Sequence, residues 1–346
     1  MLTTTIGSYP KPAEVPVRDW FRRDDGTDRA EPTAGYAEIL RQYRARLAAI
    51  LDRATIEVVR EQVELGIDIP TDGEVRRENF VHYHCRHLKG VDFEVLTEKQ
   101  MLGREVRVPT ITGSVQAVRD PFLVRDWQIA QSATRKPVKI TLPGPLTIGE
   151  CVADAFYEDP RARGGALADA LNVEIRRLAE AGCPAVQIDE PVLARQVEDA
   201  LAFGLEHLER CFHRVPRPTE RVVHVCRGCP ERLDEDYPKA AKEAYFELAD
   251  GLDEIEIDAV SIEDAHCPND LSLLERFTRT RVILGVIAIG GSRVEEAEEV
   301  RERLRAALEH IEAARLIAAP DCGLGLLGRD LARRKLKVLT EAAHSL

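Results

Sequence analysis

The sequence predicts an α/β fold, a (β/α)8 TIM barrel, on three observations. Apolar strand-like runs alternate with helical segments eight times along 346 residues. Polar and titratable side chains gather at the C-terminal end of each run, where barrels of this kind place their reactive groups. No glycine-rich dinucleotide fingerprint follows the first strand, which argues against an open doubly wound sheet. Barrels of this length routinely form one domain around one large core, so residues 1–346 are expected to make a single catalytic barrel.

Taken in order, LTTTIGSYP (2–10) is the first strand. Residues 35–65 carry helical periodicity with many charges, and GIDIPTDGE (66–74) is the second strand. The least regular part is 85–118, expected as an insertion of loop and short β ribbons after strand 2 and placed where a lid would sit. PVKITLPGP (137–145) is followed by helices to about residue 181, then PAVQIDEP (184–191) and a further helix. ERVVHVCRG (220–228), a helix around 238–250, and EIDAVSIED (256–264) come next. RVILGVIAI (281–289), a long charged helix over 294–314, RLIAAPDCG (315–323) and a final helix complete the series.

Hydrophobic residues make up 44% and charged residues 31% of the chain, and the net charge is −12. That charge argues against a nucleic-acid or anionic-membrane partner and in favour of a small-molecule substrate. The longest apolar runs fall far short of the ~20 residues that span a bilayer. MLTTTIGSYP lacks a basic segment followed by an apolar one, so a cytoplasmic location is expected. Eight cysteines are too sparse for a disulfide scaffold, which favours reduced thiols, some of them on a metal.

The strand ends carry Gly7 and Ser8, Asp72 and Glu74, Asp189 and Glu190, His224 and Cys226, Glu263, and Asp321 and Cys322. Among them HVCRGC (224–229) stands out. Alternate residues of a strand share a face, so His224 and Cys226 point the same way. With Glu263 and Cys322 from other strand ends they make a tetrahedral Cys2HisGlu donor set suited to Zn2+. Cys229 is a rival ligand. It also forms a C-x-x-C with Cys226, which leaves a redox pair open, although such pairs prefer a helix N-terminus. Plain structural readings stay open beside these: salt-bridge partners for Asp189 and Glu190, a tight turn for Gly7.

TTTIGSYP, DGEVRREN, LPGPLTI, VQIDEP, HVCRG, DAVSIED and PDCGL occur together in this order. In these motifs the chain resembles the catalytic C-terminal barrel of cobalamin-independent methionine synthases, and more closely their short single-barrel relatives and the zinc thiol-alkyltransferases. The resemblance implies a zinc-dependent methyltransferase that makes L-methionine from L-homocysteine. It places the zinc ligands on His224, Cys226, Glu263 and Cys322, and the amino-acid part of homocysteine on Ile6, Gly7, Ser8, Glu74 and Asp189. Two departures bear on the methyl donor. Gly290 stands where the folate-dependent relatives carry a histidine proton donor, and Cys151 lies near the position of a folate-stacking tryptophan. The chain also has no room for the family's N-terminal barrel, which helps to bind the folate. The expected donor is therefore a methylcorrinoid, free or on a corrinoid protein partner, because a cobalt leaving group needs no proton. His82, His84, His87 and His266 are the histidines able to supply an acid from another loop.

Three other readings compete. A zinc alkyltransferase acting on a sulfonate-bearing thiol of the coenzyme M type would not want the acidic pair Asp189 and Glu74. A metal-free lyase, as in the uroporphyrinogen decarboxylases, needs a basic cleft, for which Arg76, Arg77 and Arg86 are the candidates. A structural zinc protein would keep a closed shell of four protein ligands.

Overall fold

The computed structural model describes all residues except 19–32, 34, 102, 229 and 231. In chain order its strands are β1 (Leu2–Thr3), β2 (Leu88–Met101), β3 (Arg104–Ala117), β4 (Lys139–Pro143), β5 (Ala153–Asp154), β6 (Ala185–Asp189), β7 (Glu220–Val225), β8 (Ala259–Glu263), β9 (Arg281–Ile287) and β10 (Leu316–Pro320). Seven of them form one parallel sheet in the order β1-β10-β9-β8-β7-β6-β4. Each is followed by helical structure that packs on its outer face, so both faces are buried and the strands read as continuous apolar runs.

The sheet curls into a barrel, and its closure departs from the sequence expectation. Residues 66–74 do not form a regular strand. Ile69 makes a parallel bridge to Thr4 and Thr71 one to Lys139, so the gap between β1 and β4 is spanned by isolated pairs. Lys139 N donates to Pro70 O at 2.9 Å. Pro70 itself has no N–H to continue a ladder, and the chain turns away at once through Gly73 (φ 68°) and Glu74 (φ 56°).

Inside the barrel, Ile6, Val222, Ala259, Ile283, Ile317 and Ala319 form a small apolar plug, separate from the large cluster between sheet and helices. Strand alternation fixes what lies above it. Val222 points inward, and so therefore do His224 and Cys226; Ala259 points inward, and so do Ser261 and Glu263. The catalytic end is the continuation of the plug.

Helix starts follow local chemistry. Pro160–Glu180 begins at Asp159, whose side chain accepts from the backbone N–H groups of Arg161 and Ala162. The helix expected over 294–314 is shorter, Ala297–Ala307, because Glu296 and Glu299 close a capping box at its start and residues 313–315 form a separate 3-10 turn. The helical stretch from 35 is split at Arg44, whose φ is 45°.

The insertion is an antiparallel ribbon of β2 and β3, extended by β5. It is fastened to the barrel by Lys99, whose Nζ donates to the carbonyls of Gly149 (3.2 Å), Glu150 (2.7 Å) and Val152 (3.1 Å) at the end of the helix Pro145–Cys151. Among the described residues no helix is long and apolar enough to cross a membrane.

Candidate active site

His224, Cys226 and Cys322 converge at the C-terminal mouth, with one ligand atom from each lying within 4.8 Å of the other two. Two come from β7 and the stretch that leaves it, the third from the turn after β10. His224 Nδ1 is hydrogen-bonded to Ser261 Oγ at 2.9 Å, across the β7–β8 register that sets these two residues side by side. Its Nε2 is buried and has no hydrogen-bond partner among the described residues. A buried nitrogen left unpaired beside two thiols, on a ring held from its other side, is the arrangement a metal-binding histidine needs. The donor set fits Zn2+.

Glu263, the fourth expected ligand, is buried at the same mouth but faces other partners. Its Oε1 accepts from Arg227 Nε (3.1 Å) and Lys239 Nζ (2.5 Å), and its Oε2 from the Arg227 backbone N–H (3.2 Å). Coordination by Glu263 therefore requires it to trade these cations for the metal. Cys229 lies outside the described residues.

The other half of the mouth is acidic. Glu74 Oε1 accepts from Thr141 Oγ1 (2.9 Å) and pairs with Arg77 Nη1 (3.2 Å). Burial pushes its carboxyl up to about 7, with Arg77 pulling down and Asp189 pushing up. Asp189 is also raised to about 7, first by burial, against the hydrogen bond from Gln187 and the charges of Arg77 and Lys139. Gly7 faces Glu74: a Cβ there would stand 2.6 Å from Glu74 Oε1, so any larger residue would have to displace that carboxylate. Ser8 ties the same strand end to the turn after β10, its carbonyl accepting from Leu324 N (2.6 Å) and its hydroxyl from Gly325 N (3.3 Å). Ile6 is buried beneath, its carbonyl accepting from Gln187 Nε2 at 2.7 Å.

Structure separates residues that look alike in sequence. Asp189 faces the barrel mouth, whereas its neighbour Glu190 accepts from the backbone N–H groups of Leu146 (3.0 Å) and Thr147 (2.7 Å) and so caps a helix start. Asp321 accepts from the N–H groups of Asp264 (2.9 Å), Ala265 (2.9 Å) and His266 (2.7 Å), shaping the turn after β8. The arginines proposed for a basic cleft are committed elsewhere: Arg76 to Asp52 and Asp126, Arg77 to Glu74, Arg86 to Glu78. That arrangement leaves the lyase reading without its cleft.

The four candidate histidines separate as well. His82 and His84 are buried, and burial drives both rings towards the neutral form, His82 to about 4. His87 stacks on Phe122 at 4.0 Å. His266 is exposed, and a Cβ placed on Gly290 would lie 3.4 to 3.5 Å from its ring.

Sequence reading missed Ser261, Gln187, Lys139, Arg227 and Lys239. The first two were within reach, since each lies two residues before a named strand-end acid and so shares its face.

A parallel barrel with an imidazole–thiol cluster at its mouth, beside a two-carboxylate pocket, defines a thiol-handling barrel enzyme. The chain belongs to the cobalamin-independent synthase family, whose catalytic-domain model matches residues 1–345, and is a methyltransferase of the methionine synthase type. It is 31% identical over 343 residues to a methionine synthase of Saccharolobus solfataricus, covering 98% of this chain and 92% of that one. With a methionine synthase of Thermococcus kodakarensis it shares 30% identity over 336 residues, 96% and 90% of the two chains. Among solved structures it resembles a B12-independent methionine synthase of a Shewanella species in complex with selenomethionine, with a TM-score of 0.84, 28% identity and coverage of 99% and 96%.

Membership of a cobalamin-independent family overturns the expected methylcorrinoid donor and corrinoid protein partner. The inference from Gly290 fails for a physical reason. A missing side chain at one position says nothing about what a neighbouring loop brings close to it, and here the His266 ring borders that position.

Proposed function

We propose that this protein transfers a methyl group to the thiol of L-homocysteine to form L-methionine, with a methylated folate as donor and Zn2+ as cofactor. The observation that carries this reading is the cluster of His224, Cys226 and Cys322 with its unpaired Nε2, set beside the pocket of Glu74 and Asp189. His224, Cys226 and Cys322 would hold the metal, with Glu263 as fourth ligand when it leaves Arg227 and Lys239. Held there, Zn2+ would supply the acidity that keeps an incoming thiol as the thiolate nucleophile at neutral pH.

The residues of the chain do the rest. Ser261 fixes the His224 ring, and with the proton on Nδ1 the Nε2 lone pair points at the thiols. Glu74 and Asp189 take the substrate ammonium, which favours homocysteine over a sulfonate-bearing thiol. Ile6, Gly7 and Ser8 offer backbone to its carboxylate. The sulfur attacks the methyl carbon, the carbon–nitrogen bond of the donor breaks, and the leaving nitrogen takes a proton, for which His266 stands at the mouth beside Gly290.

The test is zinc X-ray absorption on purified protein before and after homocysteine, together with methionine formation from 5-methyltetrahydrofolate. One added sulfur in the shell and methionine as product are expected. A shell unchanged by homocysteine defeats thiol activation; an added sulfur without methionine defeats the donor assignment.

A further inference from the structure

Beneath the acidic pocket lies a polar group that the chemistry above does not use. Lys139 is 1% exposed and projects from β4 into the barrel, where its Nζ donates to Gln187 Oε1 at 2.5 Å. Gln187, on β6, is fully buried and opposite Thr141 in register. Its Nε2 donates one hydrogen to Ile6 O (2.7 Å) and the other to Asp189 Oδ1 (2.6 Å). Both hydrogens and the oxygen of the amide are thus committed.

A primary amide has two orientations related by a flip. Flipped, Gln187 would set its oxygen against the carbonyl of Ile6 and the carboxylate of Asp189, and its NH2 against an ammonium. All three contacts would turn from attraction to repulsion. Lys139, donating to the amide oxygen, therefore joins Ile6 O and Asp189 in fixing which way the amide points. The cost of enclosing a lysine in a barrel is offset only if its partner repays it, and here the partner reaches the substrate pocket.

We propose that Gln187, locked in orientation by Lys139, is the positioning residue that makes this site selective for an ammonium-bearing thiol. One amide sets both halves of the amino-acid pocket. It takes Oδ1 of Asp189 and so leaves Oδ2 to meet the ammonium. It also holds the Ile6 carbonyl, and with it the Gly7–Ser8 turn that faces the substrate carboxylate. This inference rests on the reading of Asp189 as an ammonium anchor.

The experiment compares binding of L-methionine and of 4-(methylthio)butanoate, which lacks only the amino group, to the purified full-length protein by calorimetry. A charge-assisted hydrogen bond predicts that wild type prefers L-methionine by about tenfold or more. Gln187→Leu should bring the two ligands within about threefold of each other, and Lys139→Met should shift the ratio in the same direction by less. Should Gln187→Leu fail to fold, Lys139→Met carries the test. In an Asp189→Asn background neither substitution should lower the ratio further. A wild-type ratio in the Lys139 and Gln187 variants, or losses that add to that of Asp189→Asn, overturns the proposal. A wild type that does not distinguish the two ligands overturns the underlying reading of Asp189 instead.

Discussion

The two halves of the barrel mouth are built on opposite principles. On the thiol side, three ligand atoms crowd within 4.8 Å, one of them a buried nitrogen without a hydrogen-bond partner among the described residues. On the carboxylate side, Glu74 and Asp189 are held by Thr141, Arg77 and Gln187, and burial still lifts both to about 7. A buried imidazole nitrogen without a partner beside two thiols asks for an ion; paired carboxylates whose burial favours the proton ask for a cation they can release. The comparison teaches that hydrogen-bond bookkeeping separates a metal half from a substrate half before any ligand is seen.

The largest expected effect breaks the thiol side. Cys226→Ala or Cys322→Ala should lower bound zinc, measured by metal analysis, and reduce methionine formation by about a thousandfold or more. Retained zinc at wild-type stoichiometry in both variants would show that the cluster is not the metal site. Breaking the carboxylate side should be gentler and different in kind: Asp189→Asn should raise the KM for homocysteine by roughly 10- to 100-fold through a lost charge-assisted hydrogen bond, with zinc content unchanged. A zinc loss in that variant would merge the two halves.

Ser261→Ala sharpens the contrast, because it touches the metal side only through the His224 ring. Zinc affinity should fall by about 10-fold, the lower end for a partner of a ligating histidine, and competition with a chelator reads it directly. The smallest effect concerns pH. The folded-state pKa of Glu74 is raised from 4.5 to about 7, so between those values the native protein keeps a proton that the unfolded chain has lost. Stability should therefore fall as pH rises from 4.5 to 7 and level off above, and Glu74→Gln should flatten that slope by about 1 kcal/mol or more. Ligand binding runs the other way: an ammonium needs the ionised carboxylate, so L-methionine should bind more tightly at pH 8 than at pH 6, and Glu74→Gln should weaken that trend.

The sequence by itself determined the α/β alternation, most of the strand ends, and the shared face of His224 and Cys226, because strand periodicity and apolar runs are local properties of the chain. The same rule of alternation was enough to expose Ser261 and Gln187, each two positions before an acid already singled out. It was not enough for closure of the barrel at residues 69–71, where Pro70 and the turn at Gly73 leave only bridges. Only the tertiary structure decided the pairings that depend on distance through space. Lys239 and Arg227 claim Glu263 across 24 and 36 positions, Lys139 reaches Gln187 across 48, and His266 comes to rest beside Gly290. Strand-end carboxylates that look alike in sequence, Asp189 and Glu190 or Glu263 and Asp321, part company there because a carboxylate's role is set by the donors that reach it. Those donors come from strands and loops that are neighbours only once the barrel has closed.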